Sequence, residues 1–525
     1  MKRFIFFATV LIDIAVSQST YRAAVVEYAP KTSAQTYSNR ILENIQEYVN
    51  YIGEAADEAI DIIVFPEYGL YGDVVNAENI DELSMEIPNP EFKISVCNLQ
   101  NSNYSKALID LSCAANGHRI YVVANIIEKH NASSNVTYYN TNIVFDREGA
   151  LISRFRKINP YMEAHVARGN ETVTFKTDFG VTFGMFICND IMFQNPAMDV
   201  LSNSAVTDII YSTAWTTELP FLESLSVQHG YAKSKGVNIL VSELSDPANG
   251  YGGSGIFLAN GKILTVYKTA AKSSRMLKAT IPKTNRQNAS DHPNQSHSAN
   301  VDDLQEQELQ LSPSMGGSLP NISKFFTHQQ DLSNFTFKAI NLTNNSISES
   351  ICMGSYNQFC CSIDVTAKVN NEQNYQYKLA IFNGGHTLGW ETIGIRTCAL
   401  LACLNASESS CGLRSTTAPK GVTFESLTIN ASFPYVKNAH DQPVTVLFDL
   451  IPITNYDFTK EVANGRTELI MTVRRQTSLL IFGIFGRVYD NDHKGLGSFN
   501  NAAAYIISPY LVLIISVIIF VTQEK

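Results

Sequence analysis

Apolar and polar positions follow two different periods in the first half of the chain. Between residues 37 and 60 the apolar positions recur near a helical period, which predicts an amphipathic helix, and a second helix is expected over 218–235. Short, almost wholly apolar runs predict strands buried on both faces of a sheet. These runs are residues 21–26, 61–65, 120–127, 139–145, 151–155, 182–187, 208–211 and 237–242, followed by a hairpin of 255–258 with 262–266.

The pattern changes in the second half. Residues 284–322 are rich in Asn, Gln, Ser, Asp and Pro and poor in apolar side chains, as a linker or surface excursion would be. Beyond them, short strands with no convincing helix are expected at 335–339, 375–382, 396–401, 422–429, 444–450 and 477–485. We therefore predict an α/β domain over 20–283, a linker over 284–330 and a smaller β-rich domain over 331–490.

Length and charge narrow the classes of protein. The chain has 525 residues, enough for two or three domains of about 150 residues. Its composition, 45% hydrophobic and 17% charged, excludes wholesale disorder. The formal net charge of -10 leaves no overall basic surface for phosphates, so no nucleic acid partner is expected.

Both ends of the chain carry targeting signals. Residues 1–19 combine Lys2 and Arg3, an apolar run and small residues before the exit, which predicts a secretory signal peptide. Residues 495–525 pass from small polar residues to an apolar stretch at 505–521, which predicts a GPI-attachment signal and a lipid anchor outside the cell. The candidate attachment residues are Gly497, Ser498, Asn500 and Asn501. The polar stub at 522–525 leaves a single membrane span as an alternative, and simple secretion is another.

Glycosylation acceptors agree with secretion. Twelve Asn-x-Ser/Thr sequons predict a heavily glycosylated ectodomain. The acceptors are Asn103, Asn131, Asn135, Asn170, Asn288, Asn294, Asn321, Asn334, Asn341, Asn344, Asn405 and Asn430.

The nine cysteines suggest a disulfide framework with one thiol left over. Cys97 and Cys113 are close enough in the chain to pair, and the six cysteines after residue 350 can form three bridges. That pairing leaves Cys188 free, although an intermolecular bridge is an alternative. No CxxC pair, HExxH motif or cluster of histidines at ligand spacing occurs, so we expect no metal and no cofactor.

Three reactive side chains each follow an apolar strand. Glu67, Lys157 and Cys188 come directly after the runs at 61–65, 151–155 and 182–187, or within two residues of them. In α/β proteins, the chemistry collects at the carboxyl ends of the strands. Each residue alone also fits a structural role: a surface acid, a solvated cation or an inert buried thiol. Their common placement favours a shared site.

These motifs resemble the nitrilase superfamily of carbon–nitrogen hydrolases. Three motifs occur here in the order found in the family: Pro-Glu at 66–67, Arg-Lys at 156–157 and Cys-Asn-Asp at 188–190. Three more are similar to motifs of its vanin and biotinidase branch: Tyr-Ser-Thr-Ala-Trp at 211–215, Leu-Pro at 219–220 and Gly-Ser-Gly-Ile at 253–256. The resemblance covers nearly the whole mature chain and implies a four-layer α-β-β-α sandwich followed by a β-rich domain. Asn189 departs from the aromatic residue expected there.

The resemblance also implies roles for the site residues. Cys188 would be the nucleophile, Glu67 the general base, and Lys157 the cation that activates the thiol and, with the Asn189 N–H, stabilises the oxyanion. The supporting residues would be Glu163 as an additional acid, Asp190 in orienting the loop, and Trp215 and Tyr161 in the pocket.

The implied reaction is hydrolysis of a small linear amide. For the vanin side of the branch, which the anchor signal favours, the substrate would be pantetheine, cleaved to pantothenate and cysteamine. Biotinidase-type cleavage of biotin amides and an inactive binding ectodomain are the alternatives. Acyl transfer is less expected, because superfamily members that acylate lipoproteins are polytopic and this chain has at most one apolar span.

Overall fold

The computed structural model describes residues 19–72, 75–100, 103–132, 135–284, 322–343, 345–354, 358–370 and 375–498. The predicted signal peptide up to residue 18, residues 285–321 of the predicted linker and the apolar tail lie outside the described residues. Within the described ranges, no helix is both long and apolar enough to cross a bilayer.

The first part of the chain alternates helices and strands. Its helices are α1 (Tyr37–Asp57), α2 (Ile80–Leu83), α3 (Lys106–His118), α4 (Gln194–Ala197) and α5 (Ser224–Lys235). Its strands are β1 (Thr20–Glu27), β2 (Ile62–Val64), β3 (Tyr121–Ala132), β4 (Asn135–Phe145), β5 (Leu151–Arg156), β6 (Val173–Lys176), β7 (Thr182–Ile187), β8 (Val206–Thr213), β9 (Glu218–Leu219), β10 (Asn238–Glu243), β11 (Ser254–Phe257), β12 (Ile263–Tyr267) and β13 (Arg275–Pro282).

Two six-stranded sheets face each other in this part. Their strand orders are β13-β1-β2-β3-β4-β5 and β12-β11-β10-β8-β7-β6. Strand β1 shows why the layers form: Tyr21, Ala23 and Val25 pack in the core shared with the second sheet, whereas Ala24 and Val26 pack in the core under α1 and α3. Because successive side chains of a strand point to opposite faces, both faces of this strand are apolar and both are covered.

The second sheet is covered by α5, which completes the predicted α-β-β-α sandwich. Residues 224–232 of this helix are all buried, because the C-terminal domain packs on the side that faces away from the sheet. The predicted helix over 218–235 is therefore too long at its start. The observed helix begins after Glu223, whose carboxylate accepts a hydrogen bond from the Ser226 N–H at 2.7 Å, whereas Glu218 and Leu219 form β9.

The C-terminal part is a β-rich domain, as predicted. Its strands are β14 (His328–Gln329), β15 (Thr336–Ile340), β16 (Ile347–Met353), β17 (Phe359–Val369), β18 (Gln376–Leu388), β19 (Glu391–Cys403), β20 (Val422–Pro434), β21 (Ala439–Leu447), β22 (Tyr456–Ala463), β23 (Arg466–Thr477), β24 (Leu479–Val488) and β25 (Gly497–Ser498). One antiparallel sheet has the order β15-β18-β19-β24-β21, with β25 beside β18, and the other has the order β16-β17-β20-β23-β22.

The end of the predicted linker belongs to the folded structure. Strand β14 pairs with β9, and Phe325 is buried. The side-chain oxygen of Gln330 accepts a hydrogen bond from the Phe221 N–H at 2.7 Å. The linker prediction is therefore wrong for residues 322–330, because a short segment of moderate polarity is held by backbone pairing to the first domain rather than by its own apolar pattern.

The disulfide pattern follows the cysteine prediction. Cys97 pairs with Cys113, and the six later cysteines form Cys352–Cys360, Cys361–Cys398 and Cys403–Cys411. The Cys361–Cys398 bridge joins β17 to β19 and so ties the two C-terminal sheets together. Cys188 is free and buried.

This pairing predicts a thiol count. Denatured but unreduced protein is expected to contain one titratable thiol per chain, because eight of the nine cysteines are in disulfides. Thiol titration in guanidinium chloride measures the number, and Cys188→Ala should bring it to zero. A count of three or more in the unsubstituted chain would contradict the pairing.

The predicted modification sites are mostly on the surface where they are described. Seven acceptors are exposed: Asn103, Asn131, Asn135, Asn170, Asn334, Asn341 and Asn405. Asn430 differs from these seven, because it lies in β20 between two paired strands, is half-buried, and has a buried side-chain oxygen without a hydrogen-bond partner. Asn288, Asn294, Asn321 and Asn344 lie outside the described residues, as do Asn500 and Asn501. Gly497 and Ser498 form β25.

Candidate active site

The topology brings Glu67, Lys157 and Cys188 to one place. Glu67 and Lys157 follow β2 and β5, which run in the same direction in the first sheet, and Cys188 follows β7 in the facing sheet. The carboxyl ends of these strands meet where the two sheets face each other. The apolar strands thus place three reactive side chains in the interior of the sandwich.

Lys157 joins two carboxylates in a buried cluster. Its Nζ lies 2.6 Å from Glu67 Oε1 and 2.6 Å from Glu163 Oε2. The side chains of Lys157 and Glu67 are each 1% exposed, and that of Glu163 is 9% exposed. Two of the three ammonium protons therefore bind carboxylates, which leaves one N–H for another acceptor.

The two carboxylates differ in how fully they are bound. Glu163 accepts hydrogen bonds from Lys157, from Asn140 at 2.8 Å, from the Tyr161 N–H at 2.8 Å and from the Tyr68 hydroxyl. Glu67 accepts hydrogen bonds from Lys157 and Asn140 on Oε1, whereas its Oε2 accepts only one, from the Ala214 N–H at 2.9 Å. Glu67 therefore keeps more capacity to receive a proton.

Cys188 stands at a strained turn. Its φ of 46° lies in the left-handed region, at the start of a 3-10 turn over Cys188–Met192. The Tyr211 hydroxyl donates to the Cys188 carbonyl at 2.9 Å, and the Sγ atom lies 3.6 Å from the Ala214 carbonyl. These contacts hold the sulfur beside the loop that also binds Glu67.

Asp190 fixes the loop after the cysteine. Its carboxylate accepts from the Asn159 backbone N–H at 2.7 Å, from the Asn159 side chain at 2.9 Å and from the Ile187 N–H at 3.2 Å. Burial raises the pKa of Asp190 to about 7, although the positive charge of Lys157 and these hydrogen bonds oppose the rise. These hydrogen bonds hold the loop in position, so Asp190 supports the structure near the site.

Burial sets the protonation state of the site. It raises the pKa of the Cys188 thiol well above its usual value, the charge of Glu67 raises it further, and Lys157 only partly offsets both. The sequence led us to expect that a cation, Lys157, and a base, Glu67, would together activate the thiol at neutral pH. Ionisation of this thiol therefore depends on a nearby base, which is the role expected of Glu67.

Burial raises the pKa of Glu67 above 4.5 as well, against the charge of Lys157. Since a base must be ionised to accept a proton, we expect kcat/KM to fall as the pH is lowered, with a midpoint above 4.5. A pH–rate profile on an uncharged amide measures this limb. A rate that stays constant down to pH 4 would contradict the role of Glu67.

A narrow cavity opens at the sulfur atom. Its volume is about 30 Å³, and we call it the nucleophile cavity; its walls include Cys188, Asn189, Trp215, Tyr161 and Leu388. Trp215 is fixed by its backbone N–H, which donates to Glu243 at 2.6 Å, and by its indole N–H, which donates to the Leu222 carbonyl at 3.0 Å. Leu388 comes from the C-terminal domain, so this domain contributes to the wall around the nucleophile.

A larger pocket of about 320 Å³ lies beside the nucleophile cavity and shares Tyr161 and Glu218 with it. We call it the interdomain pocket, because its other walls include Met162 from the first domain and His386 and Gly389 from the C-terminal domain. None of its lining residues is Lys or Arg. Its acidic side chains are Glu218 and Asp331, so the pocket has a mixed polar and apolar lining with carboxylates and no ammonium or guanidinium group.

The C-terminal domain also contacts the loop after the nucleophile. Arg487 is buried and donates to the Met192 carbonyl at 2.7 Å and to the Asp492 carboxylate at 2.9 Å. Met192 ends the turn that begins at Cys188. Among the described residues, no group of three or more His, Cys, Asp or Glu side chains is arranged to hold a metal ion.

Several site residues were missed by the sequence reasoning. Asn140 binds both carboxylates and could have been noticed, because it and Asn142 are polar residues two positions apart in a strand that is otherwise apolar at its end. Tyr68, Ala214 and Leu388 carried no such signal. Their roles depend on loop conformation and on packing between distant parts of the chain.

Comparisons with known proteins agree with this architecture. A sandwich of two sheets with Glu, Lys and Cys at strand ends is the arrangement of the carbon–nitrogen hydrolases, and residues 22–232 match the family described as Carbon-nitrogen hydrolase. Residues 324–492 match the Vanin C-terminal domain. The chain belongs to the vanin and biotinidase family of amidohydrolases.

Individual relatives span most of the chain. It is 31% identical to Vanin-like protein 1 of Drosophila melanogaster, over 90% of this chain and 86% of that protein. It is 30% identical to a human protein named Pantetheinase, over 79% of this chain and 80% of that protein. A solved nitrilase-superfamily structure from Saccharomyces cerevisiae is 20% identical, with a TM-score of 0.41, over 50% of this chain and 90% of the other.

Proposed function

We propose that this chain is an extracellular, membrane-anchored amidase that hydrolyses pantetheine to pantothenate and cysteamine through an acyl-enzyme at Cys188. The observation that carries the proposal is the buried Glu67–Lys157–Glu163 cluster, which lies in the same site as the one free cysteine of the described chain. A thiol, a base and a fixed cation are the groups that nucleophilic amide hydrolysis requires.

Each step of the reaction has a residue. The Cys188 sulfur attacks the amide carbonyl carbon while its proton passes to Glu67. The carbon–nitrogen bond then breaks as Glu67 returns that proton to the leaving nitrogen, and the acyl group stays on sulfur. Water, deprotonated by Glu67, attacks the thioester carbon. The carbon–sulfur bond breaks, the acid is released, and Glu67 returns the proton to the Cys188 sulfur. Each proton that Glu67 accepts is given back, so the enzyme returns to its initial state.

The negative charge on the tetrahedral oxygen needs donors. The third N–H of Lys157 is not engaged by the two carboxylates and is available for this purpose, and the Asn189 backbone N–H is the second candidate. Because both carboxylates keep Lys157 protonated and in place, the donor is oriented before substrate binds. This arrangement favours the transition state over the neutral amide.

The interdomain pocket supports an uncharged polar substrate. Its walls offer side chains that form hydrogen bonds, including Gln330, His386 and Thr387, with carboxylates at Glu218 and Asp331. Pantetheine carries hydroxyl and amide groups and no charge, which suits such a wall. The name Pantetheinase of a relative 30% identical over most of both chains points the same way.

The proposed location rests on the cysteines and the C-terminal signal. Four disulfides are typical of an oxidising compartment. The small residues around 497–501 followed by an apolar tail support a lipid anchor there. Release of the protein from cells by a phosphatidylinositol-specific phospholipase would distinguish this anchor from a single membrane span.

The test is hydrolysis by the purified full-length protein. Cysteamine release from pantetheine and lysine release from biocytin are followed beside Cys188→Ala, with the fold of the variant checked by its thermal unfolding. We expect cysteamine release that the substitution abolishes. Lysine release without cysteamine release would instead identify biotin amides as the substrate class. A folded protein that is silent on both and whose Cys188 resists iodoacetamide would instead favour a binding ectodomain.

A further inference from the structure

Exposed apolar side chains surround the mouth of the interdomain pocket. Trp390, Leu496 and Met162 are 66%, 65% and 51% exposed, and they are three of the four most exposed large apolar residues in the described part of the chain. Met162 and Leu496 line the pocket, and Trp390 follows Gly389, which lines it too. We call these three residues the mouth patch. Single exposed apolar residues scattered over a surface are ordinary, but a cluster of them at one opening indicates a surface that contacts an apolar partner.

The mouth patch is built from both domains. The turn between β18 and β19 carries Gly389 and Trp390 and lies on residues 161–162, since a Cβ at Gly389 would come within 2.7 Å of the Tyr161 ring and 3.3 Å of Met162. An ion pair between Arg168 and Glu391 holds the same turn against the first domain. The turn that carries Trp390 therefore rests on the first domain beside Met162.

The chain also leaves the described structure at this surface. Leu496 lines the pocket, and Gly497 and Ser498 pair with Gly385 and Gly384 of β18, the strand that leads to the turn. From Gly384 to Trp390 is six residues, or about 20 Å along the strand. Because β25 is antiparallel to β18, the chain runs away from this turn at Ser498, but Ser498 is only two residues after Leu496, a member of the mouth patch.

The membrane attachment proposed above lies a short distance along the chain beyond Ser498. Tyr505, the start of the apolar stretch, is seven residues further, and seven residues reach at most about 25 Å in any conformation. If the tail is instead replaced by a lipid anchor, the candidate attachment residues lie within three residues of Ser498. Both alternatives attach the molecule to the membrane at this corner.

We propose that the mouth patch rests on the bilayer surface, so that the interdomain pocket opens toward the membrane and substrate enters from that side. This inference rests on the membrane anchoring proposed above, and it concerns the orientation of the anchored enzyme. An indole is well suited to the interface between headgroups and acyl chains, which gives Trp390 a place there.

The two tryptophans allow a direct test. Trp215 is buried and Trp390 is exposed, so the difference between the unsubstituted chain and Trp390→Phe isolates the fluorescence of Trp390. The full-length protein is reconstituted into phosphatidylcholine vesicles with or without bromine on the acyl chains. We expect brominated lipid to reduce the Trp390 signal at least twofold, and acrylamide to quench it less than in the soluble, lipase-released form.

A matched control uses another exposed aromatic residue. Phe92 is 71% exposed and lies beside the start of β5, at the opposite end of that strand from Lys157. Phe92→Trp in the Trp390→Phe background should report no quenching by brominated lipid. Equal quenching at the two positions, or a Trp390 signal indifferent to bromine in protein that stays on the vesicles, would overturn the orientation.

The same samples separate this inference from the proposed function. Vesicle-bound protein that releases cysteamine while Trp390 remains unquenched refutes the orientation alone. Quenching without cysteamine release supports the orientation and refutes the substrate. Protein that does not stay on vesicles refutes both the anchor and the orientation. Asn334 is one of the acceptors predicted from the sequence and lines the same pocket, so the orientation requires that this one acceptor carries no glycan. A glycopeptide map that shows Asn334 occupied would overturn the orientation.

Discussion

Glu67→Gln is expected to lower kcat/KM by about 10⁴-fold, because the side chain that accepts and returns every proton is lost. The amide keeps the size of the carboxylate and can still bind Asn140 and Lys157. It cannot remove a proton from Cys188, and burial keeps the pKa of that thiol well above its usual value. Attack by sulfur should therefore become the slow step. Steady-state kinetics with cysteamine detection measure the loss.

Glu163→Gln is the matched control for this prediction. Both substitutions remove one of the two carboxylates that bind Lys157, so their cost to the cluster is similar. Glu163 already accepts four hydrogen bonds and has no capacity for a further proton, so we expect a loss of only about 10-fold, mainly through a less firmly held Lys157. Equal losses in the two variants would remove the distinction between base and support.

The rate of alkylation gives a second measure of the base. Iodoacetamide reacts with the thiolate, so labelling of Cys188 in Glu67→Gln should be much slower than in Glu163→Gln at neutral pH. The reaction requires no amide substrate, and it therefore tests the role of Glu67 even if pantetheine is not hydrolysed. Labelling at the same rate in both variants would show that another group ionises the thiol.

The three reactive residues could be placed from the sequence because each follows a continuous apolar run. A short, continuous apolar run is readily recognised as a buried strand, and the carboxyl ends of such strands meet in α/β folds. Glu67, Lys157 and Cys188 lie together for this reason. The start of α5 was predicted wrongly because residues 224–232 are buried on every side of the helix. The sequence therefore shows no alternation of an apolar and a polar face from which the first helical residue could be recognised.

The contribution of the C-terminal domain could not be read from the sequence. Leu388 lies 200 residues after Cys188 and lines the same cavity only because β18 and β19 form a long hairpin that packs on the first domain. No local pattern distinguishes Leu388 from other residues near a turn. Contacts of this kind depend on how the surfaces of the two domains pack against each other, and hydrophobic periodicity along the chain contains no information about that packing.

The second large effect is expected at Lys157. Lys157→Met should abolish hydrolysis and also lower the free energy of unfolding by about 3–5 kcal/mol, because it leaves two buried carboxylates without their cation. Thermal or denaturant unfolding of the purified variant measures the second effect. A variant that loses activity but unfolds as the unsubstituted protein does would show that the cluster is not needed for the fold.

The loss of stability should depend on pH in a defined direction. Burial already raises the pKa of Glu67 above 4.5, and without Lys157 it rises further. The pKa of Glu163 is held below 4.5 against burial by the charge and hydrogen bond of Lys157, so it rises as well when the cation is removed. A carboxyl whose pKa is raised in the folded state destabilises the fold once the pH exceeds the pKa of the unfolded chain, near 4.5. The deficit of Lys157→Met should therefore be largest at neutral pH and shrink as the pH falls through the raised pKa toward 4.5.

A double substitution separates charge from packing. Lys157→Met with Glu163→Gln removes the cation and one of the two anions, so only Glu67 remains to be buried as a charge. We expect this variant to regain part of the lost stability at neutral pH, with no recovery of activity, since the oxyanion donor is still absent. If the double variant is less stable than Lys157→Met alone, the lost contacts of the long lysine side chain, and not the unpaired charges, govern the fold around the site.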